Sequence, residues 1–147
     1  MRAPFQILAI PYRFDHAHRL YCVFHRADCD QWQFVSGGGE DDESPADAAV
    51  REICEECSIE DVKLLPLKSV CSIPTNVFAE KYLRNWPADT YVVPEYAFGF
   101  LCDADIHLSE EHDDYAWLSY EAACERLSWD SNRTALYELH KRLEAKP

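Results

Sequence analysis

Between residues 37 and 59 the chain reads GGGEDDESPADAAVREICEECSI, and no other stretch limits what it can fold into so tightly. Ser44 suits a helix N-cap, Pro45 suits the first helical position, and Asp47 stands where a capping box is completed, so a helix is predicted over 45–57. At 100° per residue, Glu55 and Glu56 fall about 60° to one side and about 40° to the other of Glu52, so three carboxylates share one face. Ala46, Ala49, Val50, Ile53, Cys54 and Cys57 fall opposite, an apolar stripe through which the helix is expected to pack while its carboxylates point outward. Like charges so crowded repel one another unless a cation neutralises them. Clusters of carboxylate oxygens suit Mg²⁺ or Mn²⁺, ions that arrive partly hydrated and shared with substrate phosphates. A Glu-rich helix face is commonly mere solvated surface. Here the fixed spacing, the glycine turn before it and the helix cap agree with one another, which argues for a metal site.

In order, the stretch is Gly37, five residues, Glu43, seven residues, then Arg51-Glu52-Ile53-Cys54-Glu55-Glu56-Cys57-Ser58-Ile59. This resembles the signature of the Nudix hydrolases, in which the same spacings lead to Arg-Glu-apolar-x-Glu-Glu-x-Gly-apolar. Ser58 stands where that signature has glycine. The resemblance implies an α/β/α sandwich with a mixed β-sheet. It also implies metal-dependent attack of water on a phosphoryl group, with the ions bound by Glu52, Glu55, Glu56 and the backbone carbonyl of Gly37. Glu43 and Arg51 are then expected to organise the loop and helix as an ion pair. Members of the family often carry a further glutamate before a Trp-Leu strand, reaching the metals from the opposite side as ligand or base. In the segment SEEHDDYAWL that residue is Glu111, with Glu110 beside it as the alternative.

Outside that signature, Arg26 with Gln31-Trp32-Gln33-Phe34-Val35-Ser36-Gly37, Glu111-His112 with Tyr115-x-Trp117-Leu118, and Ser131-Asn132-Arg133 after Trp129 are similar to one branch of the family. That branch is the bacterial dihydroneopterin triphosphate pyrophosphatases, also described as dATP pyrophosphohydrolases, which likewise have a hydroxyl residue at the position of Ser58. The resemblance implies a triphosphate cleaved to monophosphate and pyrophosphate. Arg26 is a candidate substrate contact, and Trp32, Phe34 or Trp129 could stack on a flat base or pterin, with core packing an equal account of each ring. ADP-ribose, dinucleoside polyphosphates and a non-catalytic nucleotide-binding role stay open as alternatives.

A length of 147 residues fits one domain, 1–147, and 48% hydrophobic content argues against disorder. No apolar run reaches the length of a membrane span, and MRAPFQILAIPYRF reads as a first strand, not an export signal. Seven cysteines without a regular spacing suit a reducing cytoplasm. A net charge of −13 disfavours nucleic-acid polymers and anionic membranes as partners, so a small phosphorylated substrate must be admitted by local cations. Oligomeric state is not legible.

Strands are predicted at 5–12, 20–25, 31–35, 62–73 with interruptions at Pro66 and Pro74, 96–102 and 115–118. Helices follow at 120–127 and from 130 or 131 to 143, the latter with a stripe of Ala135, Leu136, Leu139 and Leu143. Residues 74–94 do not divide. This order excludes a regular βαβ alternation and fits a sandwich. Cys54-x-x-Cys57 reads as two core cysteines, His16-x-His18 as surface, and Asn132-Arg133-Thr134 as an accidental glycosylation match.

Overall fold

Ile7, Leu8, Ala9 and Ile10 are all buried, without the alternation of a half-exposed strand, because this strand is covered on both faces. In the computed structural model, which describes residues 1–145, they form the middle of β1 (Arg2–Asp15). The last two residues of the expected 1–147 span lie outside the described residues. The order continues with β2 (His18–Arg26), β3 (Trp32–Gln33), β4 (Val35–Glu40), α1 (Pro45–Cys57) and β5 (Leu64–Pro74). A 3₁₀ turn (Thr75–Val77) and the one-turn helix α2 (Glu80–Leu83) divide the segment that sequence leaves undivided. Then come β6 (Val92–Leu101), β7 (His112–Leu118), α3 (Tyr120–Arg126) and α4 (Asp130–Ala145).

The seven strands form one mixed sheet, β1 running parallel to β6 and the other pairs antiparallel. Leu8, Ile10, Tyr21, Val23 and Ala97 face α3 and α4, whose buried apolar residues are Ala123, Ala135, Leu136, Leu139 and Leu143. Their neighbours in sequence, Ile7, Ala9, Cys22, Phe24 and Phe98, face α1 through Ala48, Ala49, Ile53 and Cys57. The expected α/β/α sandwich is therefore the architecture found. Among the described residues no helix is long and apolar enough to cross a membrane.

One edge of β1 is shared. Residues 2–9 pair with β4 and residues 12–15 with β2, while the other edge is taken by β6. The chain crosses from β2 to β1 between β3 and β4, and the first turn of α4 together with the loop before it holds that crossover. The Phe34 N–H donates to Asn132 Oδ1 (2.9 Å) and the Trp32 N–H to Ser128 Oγ (3.0 Å). Asn132 is 3% exposed, so the glycosylation match is closed off. The expected glycine turn is instead part of β4, and none of its glycines has a positive φ. Pro66 does not interrupt β5 as a strand. The register slips between Pro66 and Val70, and Glu138 of α4 accepts the N–H groups of Lys68 (2.7 Å) and Ser69 (2.8 Å) there.

Candidate metal and substrate site

The cap of α1 forms as its sequence dictates: Ser44 Oγ accepts from the Asp47 N–H at 3.1 Å and Pro45 occupies the first turn. Its orientation differs from the expectation. The buried residues are Ala48, Ala49, Glu52, Ile53, Glu56 and Cys57, whereas Ala46, Val50 and Cys54 face solvent together with Glu55. Two of the three carboxylates therefore point into the fold, and Cys54 and Cys57 do not share the core. The cause lies in β4. A Cβ at Gly37 would fall 2.2–2.6 Å from the Glu52 carboxylate, so only glycine lets that side chain lie against the strand.

Arg51 ties this assembly together. It grips both oxygens of Glu43 (2.9 and 3.0 Å), donates to the Gly38 carbonyl (2.8 Å) and reaches Glu52 (3.0 Å) and Glu55 (3.3 Å). The Arg51 guanidinium holds Glu43 below its ordinary range, and the Glu43 hydrogen bonds in turn raise Arg51. Glu52 is pushed up to about 7, first by burial, then less the relief given by Arg51, with Glu55 adding repulsion.

Glu56 is 1% exposed, and among the described residues neither of its carboxylate oxygens has a hydrogen-bond partner. Burial, then the carboxyl of Glu111 beside it, then Glu52, push it up to about 10. His112 faces it at 3.3 Å (Nδ1 to Oε1), and that ring nitrogen also lacks a hydrogen-bond partner. Burial lowers the pKa of His112, with the Glu111 charge opposing. Ligand atoms of Glu56, Glu111 and His112 lie within 4.8 Å of one another. The two buried oxygens of Glu56 and the Nδ1 of His112, with the exposed Glu111 carboxylate beside them, fit a divalent cation, which would satisfy the buried atoms at once. Glu52 and Glu55 are not part of that group; Arg51 holds both.

Beside this group opens a cleft of about 560 Å³ lined by Gly37, Gly38, Glu110, Glu111 and His112. Arg26 and Trp129 line it as well, Arg26 being clamped by Asp28 through two hydrogen bonds (2.8 and 2.6 Å). The other two expected ring contacts are placed elsewhere. Phe34 is completely buried in the core, and Trp32, under the Arg126 guanidinium at 4.8 Å, does not line the cleft.

Two cleft residues escape the sequence reading, and a third, His112, enters it without a role. His112 was visible only as part of a resemblance, although it directly follows Glu111. Arg2 lies against Phe78 and Tyr82 (5.3 and 5.1 Å), hydrogen-bonds Gln6, and leaves its Nε without a partner. Glu95 is buried at the cleft wall. Arg2 and Glu95 come from remote strands, and no local pattern marks them.

The NUDIX domain model matches residues 6–139, and the chain belongs to the NUDIX family. It is similar to a Listeria monocytogenes protein described as a NUDIX hydrolase, with 46% identity, a TM-score of 0.85, and 97% of this chain and 95% of that one covered. The dihydroneopterin triphosphate diphosphatase of Escherichia coli (strain K12) is 30% identical over 141 residues, 92% of this chain and 91% of its own length. The asymmetrical bis(5'-nucleosyl)-tetraphosphatase of Rattus norvegicus is 29% identical over 119 residues, covering 79% and 74%. The chain is thus a Nudix hydrolase acting on phosphoanhydride bonds.

Proposed function

We propose that the enzyme cleaves a nucleoside triphosphate or dihydroneopterin triphosphate to its monophosphate and pyrophosphate, using Mg²⁺ or Mn²⁺. The observation that carries the metal dependence is the meeting of Glu56, Glu111 and His112 at the cleft with both oxygens of Glu56 unpartnered. Glu56 and Glu111 would supply carboxylate oxygens and His112 a nitrogen to one ion, while Glu52, Glu55 and the Gly37 carbonyl would serve further ions. A bound divalent cation lowers the pKa of its water and neutralises phosphate charge. Glu111, exposed at the mouth of the cleft, is suited to hold or accept the proton of the attacking water. Arg51 and Glu43 keep the helix and β4 in register, and Arg2 and Arg26 offer positive charge to phosphates that the net charge of −13 would otherwise repel. Trp129 offers an aromatic face to a ring. The substrate choice is supported by the near full-length match to the E. coli diphosphatase. Seven free thiols suit a cytoplasmic setting, without a nucleic-acid polymer or a membrane as partner.

A second reading has its own support: the rat relative, almost as similar, is named for a dinucleoside tetraphosphate. A panel of dATP, GTP, dihydroneopterin triphosphate, diadenosine tetraphosphate and ADP-ribose, assayed with Mg²⁺ and scored for pyrophosphate against orthophosphate, separates the two. Pyrophosphate from a triphosphate, and none without a divalent ion, is the expected result. Turnover far better with ADP-ribose or the dinucleotide than with any triphosphate would overturn it.

A further inference from the structure

The cleft wall holds a carboxylate that the hydrolytic chemistry leaves unused. Glu95, on β6, is 6% exposed. Buried carboxylates are usually paired with a cation. Among the described residues none pairs with Glu95; the Ser131 hydroxyl alone eases its charge, and burial pushes it up to about 7.

Strand register fixes where it lies. Gly38 pairs with Gln6 and Gln6 with Glu95, so these three share one face of the sheet. Glu95 is therefore two strands from the glycine strand that borders the metal group, about 10 Å across. Beyond it comes β5, which pairs Cys71 with Glu95 and whose end supplies the apolar lining of the cleft, Ile73 and Pro74, followed by Val77 and Phe78. A ligand whose phosphates meet the acidic group would place its ring between that apolar wall and Glu95.

We propose that Glu95 reads this ring, accepting a ring N–H and the adjacent exocyclic NH₂ of a 2-amino-4-oxopyrimidine edge, and so selects guanine or pterin triphosphates over adenine nucleotides. Two carboxylate oxygens match two donors side by side. Adenine offers its NH₂ next to ring nitrogens that are themselves acceptors, which would face the carboxylate unfavourably. The inference rests on the reading that this cleft takes a triphosphate.

The test compares kcat/KM for GTP, ITP and ATP with Mg²⁺ in the unaltered enzyme and in Glu95→Gln. The unaltered enzyme should favour GTP over ATP by about 10- to 100-fold, with ITP, which lacks the amino group, falling between. Glu95→Gln should remove most of that preference, lowering GTP turnover and leaving ATP turnover equal or higher, since the amide can donate to an adenine ring nitrogen while accepting from its NH₂. An unchanged circular dichroism spectrum shows that the variant is folded. Equal use of GTP and ATP by the unaltered enzyme, or a preference that survives in Glu95→Gln, would overturn the assignment and leave the hydrolase reading intact. If no triphosphate releases pyrophosphate, the triphosphate reading fails, and Glu95 is judged by equilibrium binding of neopterin and guanosine against adenosine. Selective binding lost in Glu95→Gln supports the role, and unselective binding refutes it.

Discussion

Glu56 is the residue at which fold and chemistry conflict most sharply, since a carboxylate without partners is stable in the interior only if protonated or bound to a cation. Glu56→Gln keeps the shape and removes that conflict. The variant is expected to fold, to unfold in EDTA at no lower temperature than the unaltered protein, and to lose turnover by about 10³-fold, on the order of 4 kcal/mol of barrier. Near-normal turnover at limiting Mg²⁺ would show that Glu56 is not a ligand. Ser58 presents a smaller conflict. It caps α1 in the left-handed conformation (φ 59°), where glycine costs nothing, and its Oγ donates to the His107 carbonyl at 3.2 Å. Relief of strain in Ser58→Gly should about cancel the lost bond, whereas Ser58→Ala keeps the strain and should lower stability by about 1 kcal/mol in a urea titration. A Ser58→Ala variant as stable as the parent would deny the hydroxyl any part in the cap.

At the scale of elements, α1 shows what sequence can and cannot convey. Its bounds, Pro45–Cys57, agree with the predicted 45–57, because the cap and the proline that start the helix are local signals. Its rotation about its own axis was not legible. A helical wheel gives the angles between side chains, and apolar residues were assigned inward by the usual rule, yet the missing Cβ of Gly37 admits the carboxylate of Glu52 instead. Cys54 and Val50 turn outward in consequence. The supporting ion pair of Arg51 with Glu43 was readable through the resemblance, whose signature includes both positions. For Phe34 the sequence left stacking and core packing open, and only the fold, which sets the ring among Leu8, Val23 and Leu136, decides for the core. The stretch 74–94 lacked any period: one 3₁₀ turn and one turn of helix are too short to carry one. The acid of β6 and the arginine of β1 reach the cleft only through sheet order, which follows from pairing and not from spacing.

For the whole molecule, three buried carboxylates set the response to pH. Glu52 and Glu95 rise from 4.5 to about 7 and Glu56 to about 10, in each case chiefly through burial. A carboxyl harder to ionise in the folded than in the unfolded chain contributes stability below its unfolded value, and that stability is lost as pH climbs to the folded one. In EDTA the melting temperature should therefore fall between about pH 5 and pH 10, and less steeply in Glu56→Gln. Divalent ions bind the ionised form, so Mg²⁺ or Mn²⁺ should raise the melting temperature more at about pH 8 than at about pH 6. A flat profile in EDTA would contradict the burial of these charges.

The shared edge of β1 has a mechanical consequence. Glu56 rides on α1, packed against β4 and β1, while Glu111 precedes and His112 begins β7, which is hydrogen-bonded to β2. The two sides of the ion group thus belong to two leaves that meet at the crossover around Phe34, and an ion gripping both acts as a clasp. Amide exchange at Phe34 and along the end of β2 should slow when Mg²⁺ or Mn²⁺ is added, while exchange in β5, away from the seam, stays unchanged. Equal slowing throughout would mean that the ion stabilises the molecule as one piece and that the seam has no motion of its own.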